Sequence, residues 1–353
     1  MKILTCLLLS PLALLGTRLT TDYSADRTLR VERVMTISSE VVDMVVVIDG
    51  EEREGGFGGG GGASERELTI TTLDKVLAHT DGAPTKVLRT LETISMEGSM
   101  TFRDEPRDFE RSSESEGLVL ELSLAKNGDM EYEIKEGDEP EGTDFASLML
   151  TQELDSLLSD EELEEGDSWD LEAEALITGL GLGLEESLFG RPEPQGERGE
   201  RGERGGGRRG GSRGGRGGFN GAAMKNLDWE GEATWTDKTE EVDGVECIVI
   251  KLELEAEGTL PEREFRGRGG RGGGGGFWSL PAGNILGVPE TTVELELEGH
   301  LLWSPKEQRA VSLSLEGDFI QDMERDMSRN DREMSMSSST EGEIKIEITV
   351  SAE

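Results

Sequence analysis

The sequence predicts a mainly β protein of the α+β class: a curled antiparallel sheet or partial barrel of long strands, with one or two helices packed on it. Three observations predict this fold. Apolar and polar residues alternate with a period of two through most of the 353 residues, turn signals separate the alternating stretches, and helical spacing of apolar residues is confined to the middle of the chain. Because the polar positions of the strands are mostly charged, each strand has one face for a core and one for water.

The chain begins with a stretch that resembles a secretory signal peptide. Lys2 precedes the apolar run Ile3–Leu15, and Gly16 is a small residue at a cleavage position. The run is too short to span a bilayer. We therefore expect residues 1–16 to be removed and residues 17–353 to form a single β-rich domain outside the cytoplasm, periplasmic or secreted, with no transmembrane segment.

The first half of that domain contains three strand systems. The first covers Leu29–Ile48, with a β-bulge at Val41–Val42 where the alternation changes phase. The second turns at Asp81–Gly82, and the third turns at Asn127–Gly128 between two strictly alternating runs. Asn-Gly and Asp-Gly between alternating runs are the strongest short-range signals for a β-hairpin.

A helical segment is expected over residues 143–189. Phe145, Leu148, Leu154 and Leu157 are spaced for one helix, and a second short helix is expected within 173–189, where several glycines weaken it. A helix in the concavity of a curled sheet would cover its apolar face.

Five further strands are expected in the last third of the chain. They lie near residues 229–237, 245–257, 291–303, 310–323 and 333–350. Glutamates occupy every second position in the second and third of these strands, namely Glu253, Glu255 and Glu257, and Glu294, Glu296 and Glu298. If the two strands are neighbours, their glutamates form facing rows, which destabilise a sheet unless the charges are screened or bridged.

Three glycine-rich inserts interrupt the β pattern, at residues 55–62, 196–218 and 267–276, and we expect them to be flexible, disordered loops. Six Arg-Gly-Gly triplets occur in the last two inserts, beginning at Arg204, Arg209, Arg213, Arg216, Arg268 and Arg271. Such triplets are typical of nucleic-acid-binding segments. Here they also fit solvated loops, or basic loops that contact the acidic face of the same chain or of another copy.

The overall charge disfavours nucleic acid as a partner. Asp and Glu number 76 against 36 Lys and Arg, giving a formal net charge of −40. Such a chain repels polyanions and anionic membranes and favours basic or cationic partners.

Few residues of the types that commonly act in catalysis or bind metals are present. His79 and His300 are far apart in the sequence, and no catalytic, cofactor or dedicated metal motif is present, so no catalytic, cofactor-binding or metal residue is assigned and an enzyme is not expected. Cys247 alternates with valines and is interpreted as a buried small hydrophobe. Loose Ca²⁺ association is a further hypothesis for a dense acidic cluster that lacks the 12-residue calcium-loop pattern, consisting of Asp322, Glu324, Asp326 and Asp331.

One short motif carries a resemblance. Gly166-Asp167-Ser168-Trp169 forms a turn that delivers a tryptophan into a new strand, where Trp169 can close the edge of the core. This step, together with the order of signal, acidic strands and helix, resembles uncharacterised secreted bacterial β-rich proteins with a Gly-Asp-x-Trp step. The resemblance implies no activity.

Together these features predict an exported, non-catalytic binding or interaction protein. One alternative is a periplasmic carrier that holds a hydrophobic ligand in the concave sheet, which requires an apolar cavity between sheet and helix. The other is a protein that binds polyanions or nucleic acid through its Arg-Gly-Gly loops. The ligand and the oligomeric state stay open at this stage.

Overall fold

The structure is a computed structural model that describes residues 17–23, 27–53, 62–80, 82–102, 105–189, 221–260, 290–329 and 332–353. The leader 1–16 and all six Arg-Gly-Gly arginines lie outside these ranges, as do the inserts 55–62, 196–218 and 267–276 apart from Gly62.

Within the described residues, fifteen strands and five short helices make up the fold. The strands are β1 (Thr17–Arg18), β2 (Thr28–Ile48), β3 (Glu51–Arg53), β4 (Ala63–Thr80), β5 (Ala83–Phe102), β6 (Glu105–Ser112), β7 (Val119–Leu124), β8 (Met130–Glu136), β9 (Glu162–Leu163), β10 (Ser168–Leu171), β11 (Asp228–Val242), β12 (Val245–Thr259), β13 (Glu290–Ser304), β14 (Arg309–Arg329) and β15 (Arg332–Ala352). The helices are two 3-10 helices (Phe145–Ser147 and Glu153–Leu157), α1 (Ala173–Gly179), α2 (Leu184–Phe189) and α3 (Gly221–Met224).

Thirteen of these strands form one antiparallel sheet, which confirms the predicted fold class. Its order is β10-β11-β12-β13-β14-β15-β2-β4-β5-β7-β8, with β3 beside β2 and β6 beside β5, and the two end strands are not paired with each other in the described part. β1 and β9 form a separate two-stranded ribbon. Most connections join neighbouring strands, as expected where alternating segments are linked by tight turns.

The predicted hairpins and bulge are confirmed. β4 pairs with β5, with Thr80 opposite Ala83 across the predicted turn, and β7 pairs with β8 around Asn127–Gly128. Val41 lies opposite Thr340 whereas Asp43 lies opposite Ser339, so Val42 is the extra residue of a bulge in β2.

The core lies between one face of the sheet and the layer of short helices. Apolar residues at alternate positions of every long strand point into it, and Phe319, Leu91 and Ile346 are essentially inaccessible to solvent. Phe145, Leu157 and Leu176 from the helical layer are equally buried against them. The sheet therefore has an inner face, covered by helices over its central part, and an outer face that is largely in solvent.

The single helix predicted across Phe145–Leu157 is wrong in detail. Two 3-10 helices stand there, separated by extended backbone at Leu148 and Gln152. The backbone N–H of Gln152 donates to the hydroxyl of Tyr23 at 2.7 Å, so it cannot bond within an α-helix. Similarly, the expected helix within 173–189 is two helices, α1 and α2, interrupted at a turn containing Gly181 in the left-handed region.

Two structural expectations are met. Cys247 is fully buried in a small apolar cluster with Val249, Leu302 and Val311, and burial raises the pKa of its thiol. Trp169 packs against the edge of the main core, and its indole N–H donates to the carbonyl of Leu157 at 3.2 Å. Trp169 thus links the edge strand β10 to the helical layer.

Candidate functional site

The outer face of the sheet carries the predicted rows of glutamates. β12 and β13 are direct neighbours, with Glu253 opposite Glu298, Glu255 opposite Glu296, and Glu257 opposite Glu294. The neighbouring strands extend these rows. The first row is Asp170, Glu232, Glu253, Glu298 and Glu316, and the second is Glu230, Glu255, Glu296, Asp318 and Glu343.

These rows form a grid of negative charge. Adjacent strands lie about 4.8 Å apart, and alternate residues along a strand are separated by about 7 Å. All ten side chains of the two rows are exposed to solvent. Lys251 stands beside the first row and contacts Glu253 at 2.6 Å, a pair exposed enough to be weakly stabilising.

Part of the grid is concave. An open groove of about 820 Å³ runs across β10 to β13 on this side. Eight carboxylates line it, namely Asp170, Glu172, Glu230, Glu232, Glu253, Glu255, Glu296 and Glu298. We call this surface the carboxylate groove. The groove is concave and has a high density of negative charge, so it suits cationic groups.

A second group of charged residues lies inside the core, where sequence reasoning did not place one. Arg33 of β2, Asp74 of β4 and Arg89 of β5 are each no more than 5% exposed. Glu153 of the second 3-10 helix reaches them from the helical layer, 3.7 Å from Arg33 and 4.0 Å from Arg89. We call these four residues the buried charge cluster.

The ionisation of this cluster follows from its geometry. Burial alone would raise the pKa of Glu153, but the guanidinium groups of Arg33 and Arg89 outweigh it and hold the pKa below its ordinary value. Burial lowers the pKa of Arg33, whose Nε and Nη2 have no hydrogen-bond partner. The cluster therefore holds two cations and two carboxylates, a balanced set that fastens the helical layer to the sheet.

The carrier hypothesis requires an apolar cavity between the inner side of the sheet and the helices. The cavity between the sheet and helices at Arg33, Arg89 and Glu153 measures about 10 Å³, space for about one water molecule. A hydrophobic carrier of this architecture would need a cavity of several hundred Å³, and the carrier hypothesis stays a prediction.

The remaining candidates from the sequence are not brought together as a site. His79 lies on β4 and His300 on β13, with three strands between them in the sheet. Asp322, Glu324 and Asp326 lie on the outer side of β14 opposite Ser339, Ser337 and Ser335, while Asp331 lies outside the described residues. In the described ranges, no group of three or more His, Cys, Asp or Glu side chains is placed to hold a metal ion.

Comparison with known proteins assigns no family to the chain. No family model and no curated protein matches the chain. Lipovitellin, solved for its lipid–protein interactions, aligns over 91% of this chain at 8% identity and a TM-score of 0.32, and the chain spans only 25% of its length. OccK7 of Pseudomonas aeruginosa aligns over 93% of this chain and 99% of its own at 8% identity and a TM-score of 0.22. Likenesses at these scores carry no argument.

The helices give no indication of a membrane span. Across the part of the chain that the structure describes, none is long and apolar enough to cross a bilayer.

Proposed function

We propose that this chain is an exported, non-catalytic binding protein, and that its carboxylate groove takes basic segments of polypeptide partners. The observation that supports the proposal is the groove itself, where eight carboxylates line one concavity on the outer side of four neighbouring strands. Carboxylates this close repel one another, so a ligand that brings positive charge relieves an unfavourable interaction of the free protein.

The spacing favours an extended basic peptide. Successive same-side residues of an extended chain are about 7 Å apart, which matches the spacing of carboxylates along a strand. Arginine is the better partner of the two basic residues, because its guanidinium can contact two carboxylate oxygens at once. The long-range field of a chain with net charge −40 also accelerates encounter with cations.

The experiment compares two variants of equal charge. Four groove residues are neutralised in one, Glu232→Gln, Glu253→Gln, Glu255→Gln and Glu296→Gln. Four exposed acidic residues on or beside β6 are neutralised in the control, Glu105→Gln, Asp108→Asn, Glu110→Gln and Glu114→Gln. Binding of a fluorescent oligoarginine peptide is measured by anisotropy between about 50 and 500 mM NaCl.

We expect the groove variant to bind about tenfold more weakly or worse, and the β6 variant to lose only the small effect of net charge. Affinity for the native protein should fall as salt increases. Equal losses in the two variants would show a general charge effect and would reject the groove. Binding of oligothymidine in place of oligoarginine would favour the alternative in which the Arg-Gly-Gly segments take polyanions.

Export rests on the leader, which lies outside the described residues. Lys2 and the apolar run Ile3–Leu15 support it. Expression in a bacterial host, followed by fractionation and N-terminal sequencing, should find the chain in the extracytoplasmic fraction with Thr17 as its first residue. A cytoplasmic chain that retains Met1 would contradict this part of the proposal and leave the groove unaffected.

A further inference from the structure

The two carboxylates of the buried charge cluster are held in different ways. Asp74 accepts direct hydrogen bonds from Nε and Nη2 of Arg89. Glu153 stands 3.7 Å from Nη2 of Arg33 and 4.0 Å from Nη1 of Arg89. A hydrogen bond between such groups spans about 2.7 to 3.2 Å, so neither of these two separations is a direct hydrogen bond. The carboxylate from the helical layer therefore faces both of its cations across a gap.

Arg33 has one edge of its guanidinium turned to this gap. Within the described residues, its Nε and Nη2 have no hydrogen-bond partner, and both atoms are buried. Arg89 uses the same edge, formed by the same two nitrogens, to hold Asp74. Buried donors without a partner are costly and rare in proteins. The free edge of Arg33 therefore indicates a partner that is not a side chain.

Close packing keeps Arg33 from closing the gap itself. A Cβ atom built on Gly181 would stand 2.7 Å from Cζ of Arg33, so the backbone of the turn between α1 and α2 lies directly against the guanidinium. Glu153 is restrained as well, because Leu154 and Leu157 of the same 3-10 helix are buried in the core. The gap is thus a fixed feature of the contact between the two layers.

The cavity of about 10 Å³ between the sheet and the helices lies at this gap. Arg33, Arg89 and Glu153 line it, and six aliphatic side chains and Thr72 complete the lining. This is the space that one water molecule needs, and a buried water needs roughly two to four polar partners. Buried polar groups that are too far apart for a direct hydrogen bond are commonly joined through such a water.

We propose that this cavity is a binding site for one internal water molecule, which accepts hydrogen bonds from the Nε and Nη2 groups of Arg33 and donates one to the carboxylate of Glu153. The water joins β2 of the sheet to the second 3-10 helix of the helical layer. A bridging water is nearly as favourable in enthalpy as a direct hydrogen bond. One carboxylate of the cluster is thus held directly and the other through water.

The charge of the cluster selects water over an ion. Arg33 and Arg89 are balanced by Asp74 and by Glu153, whose pKa the two guanidinium groups hold below its ordinary value. A chloride or a metal ion in the cavity would add a charge that no further side chain of the lining balances. Water is neutral, and it can accept from a guanidinium and donate to a carboxylate at once.

Oxygen-17 magnetic relaxation dispersion of the full chain tests the proposal, because it counts water molecules that stay inside a protein. Arg33→Met with Glu153→Leu removes both partners of the proposed water. Arg66→Met with Glu185→Leu is the matched control, since it removes an ion pair of 2.5 Å that also joins the sheet to the helical layer and does not line the cavity. Thermal unfolding establishes that each variant is folded. We expect the first variant to lose one long-lived water relative to the native chain, and the control to lose none.

A crystal structure of the native chain at high resolution gives a second measurement that needs no variant. We expect density for one solvent atom within about 2.7 to 3.2 Å of Nη2 of Arg33 and of a carboxylate oxygen of Glu153. This measurement decides the proposal if the Arg33→Met, Glu153→Leu protein does not fold.

Four results would overturn the proposal. The native chain and both double variants could hold the same number of long-lived waters. The control could lose a water as the Arg33 variant does, which would show a general loosening of the helical layer. The crystal structure could show Arg33 and Glu153 in direct contact with no solvent between them. Finally, chlorine-35 relaxation could detect a chloride ion that the native chain binds and the Arg33 variant does not, which would make the site an anion site.

Discussion

Arg89 donates two parallel hydrogen bonds to the carboxylate of Asp74, at 2.7 and 2.5 Å, from directly opposite positions on neighbouring strands. Both side chains are inside the protein, and Asp74 outweighs the effect of burial so that the pKa of Arg89 is raised. Glu153 approaches the same arginine from the helical layer at 4.0 Å. The Arg89–Asp74 pair thus provides the contact on the sheet to which Glu153 anchors the helical layer.

Removing one partner of this pair should be strongly destabilising. Arg89→Met leaves the Asp74 carboxylate buried without its cation, and we expect the free energy of unfolding to fall by about 3 to 5 kcal/mol. The double variant Arg89→Met with Asp74→Leu should recover part of that loss, because no unpaired charge is left. Urea denaturation measures both. Lys251→Met breaks the exposed pair with Glu253 and should leave the midpoint nearly unchanged, and an equal shift in the two single variants would contradict this account.

Asp155 should make the stability depend on pH. Its carboxylate accepts hydrogen bonds from Thr21 and Tyr23, which tie the N-terminal segment to the second 3-10 helix, and burial raises its pKa to about 6. A raised pKa means that the folded state binds more protons than the unfolded state between about pH 4 and pH 6. The protonated Asp155 carboxyl therefore contributes its full stabilisation below the pKa of the unfolded state. This contribution is lost as pH rises through the pKa of the folded state, about 6.

The variant Asp155→Asn isolates this effect. Relative to the variant, the native chain should lose about 2 to 3 kcal/mol of unfolding free energy between about pH 4 and pH 7. Urea denaturation of both proteins across this range gives the difference at each pH. The repulsion among surface carboxylates is common to both proteins and cancels. Parallel curves would show that Asp155 has the same pKa in the folded and unfolded states.

Much of the sheet and of the carboxylate groove could be predicted from local pattern. Asn127–Gly128 and Asp81–Gly82 indicated hairpins because two-residue hairpin turns favour these residues. The alternation of apolar and polar residues on both sides of each turn was compatible with one pairing register of the two strands. The glutamates at alternate positions of β12 and β13 followed from the same period, and they form facing rows because the two strands are neighbours. The extension of the rows to Asp170 and Glu316 did not, because it depends on which strands become neighbours.

The buried charge cluster was missed, although a signal for it exists. Arg33 lies in phase with Val31 and Met35, and Arg89 lies in phase with Val87 and Leu91. An arginine at an inward position of an alternating strand indicates a buried cation that needs a carboxylate. The partner Glu153 comes from a distant segment, so its identity could not follow from any local pattern.

Gly317 should be irreplaceable for reasons of space. It lies opposite Leu297 on β13, and a Cβ atom built on it would stand 1.9 Å from the carbonyl oxygen of Glu296. Gly317→Ala must therefore move two central strands apart, and we expect a loss of about 1 to 3 kcal/mol in unfolding free energy. Gly183→Ala is the matched control, because no atom lies within 4 Å of its added methyl group. If the two alanines had the same effect in urea denaturation, close approach of the strands would not explain Gly317.

Deleting a single residue from β2 should be harmless at one position and disruptive at another. Val42 is the extra residue of the bulge, so its removal places Asp43 directly after Val41 and restores regular pairing with Thr340 and Ser339. Met44 and Val46 then keep their side of the sheet, and we expect the unfolding free energy to change by no more than about 1 kcal/mol.

Deletion of Val34, in a regular part of the same strand, provides the contrast. It shifts the alternation by one residue, so that one part of β2 must turn its apolar side chains to water. We expect this variant to lose several kcal/mol or to fail to fold, as judged by urea denaturation and far-ultraviolet circular dichroism. Equal damage from both deletions would mean that the bulge is required for the fold.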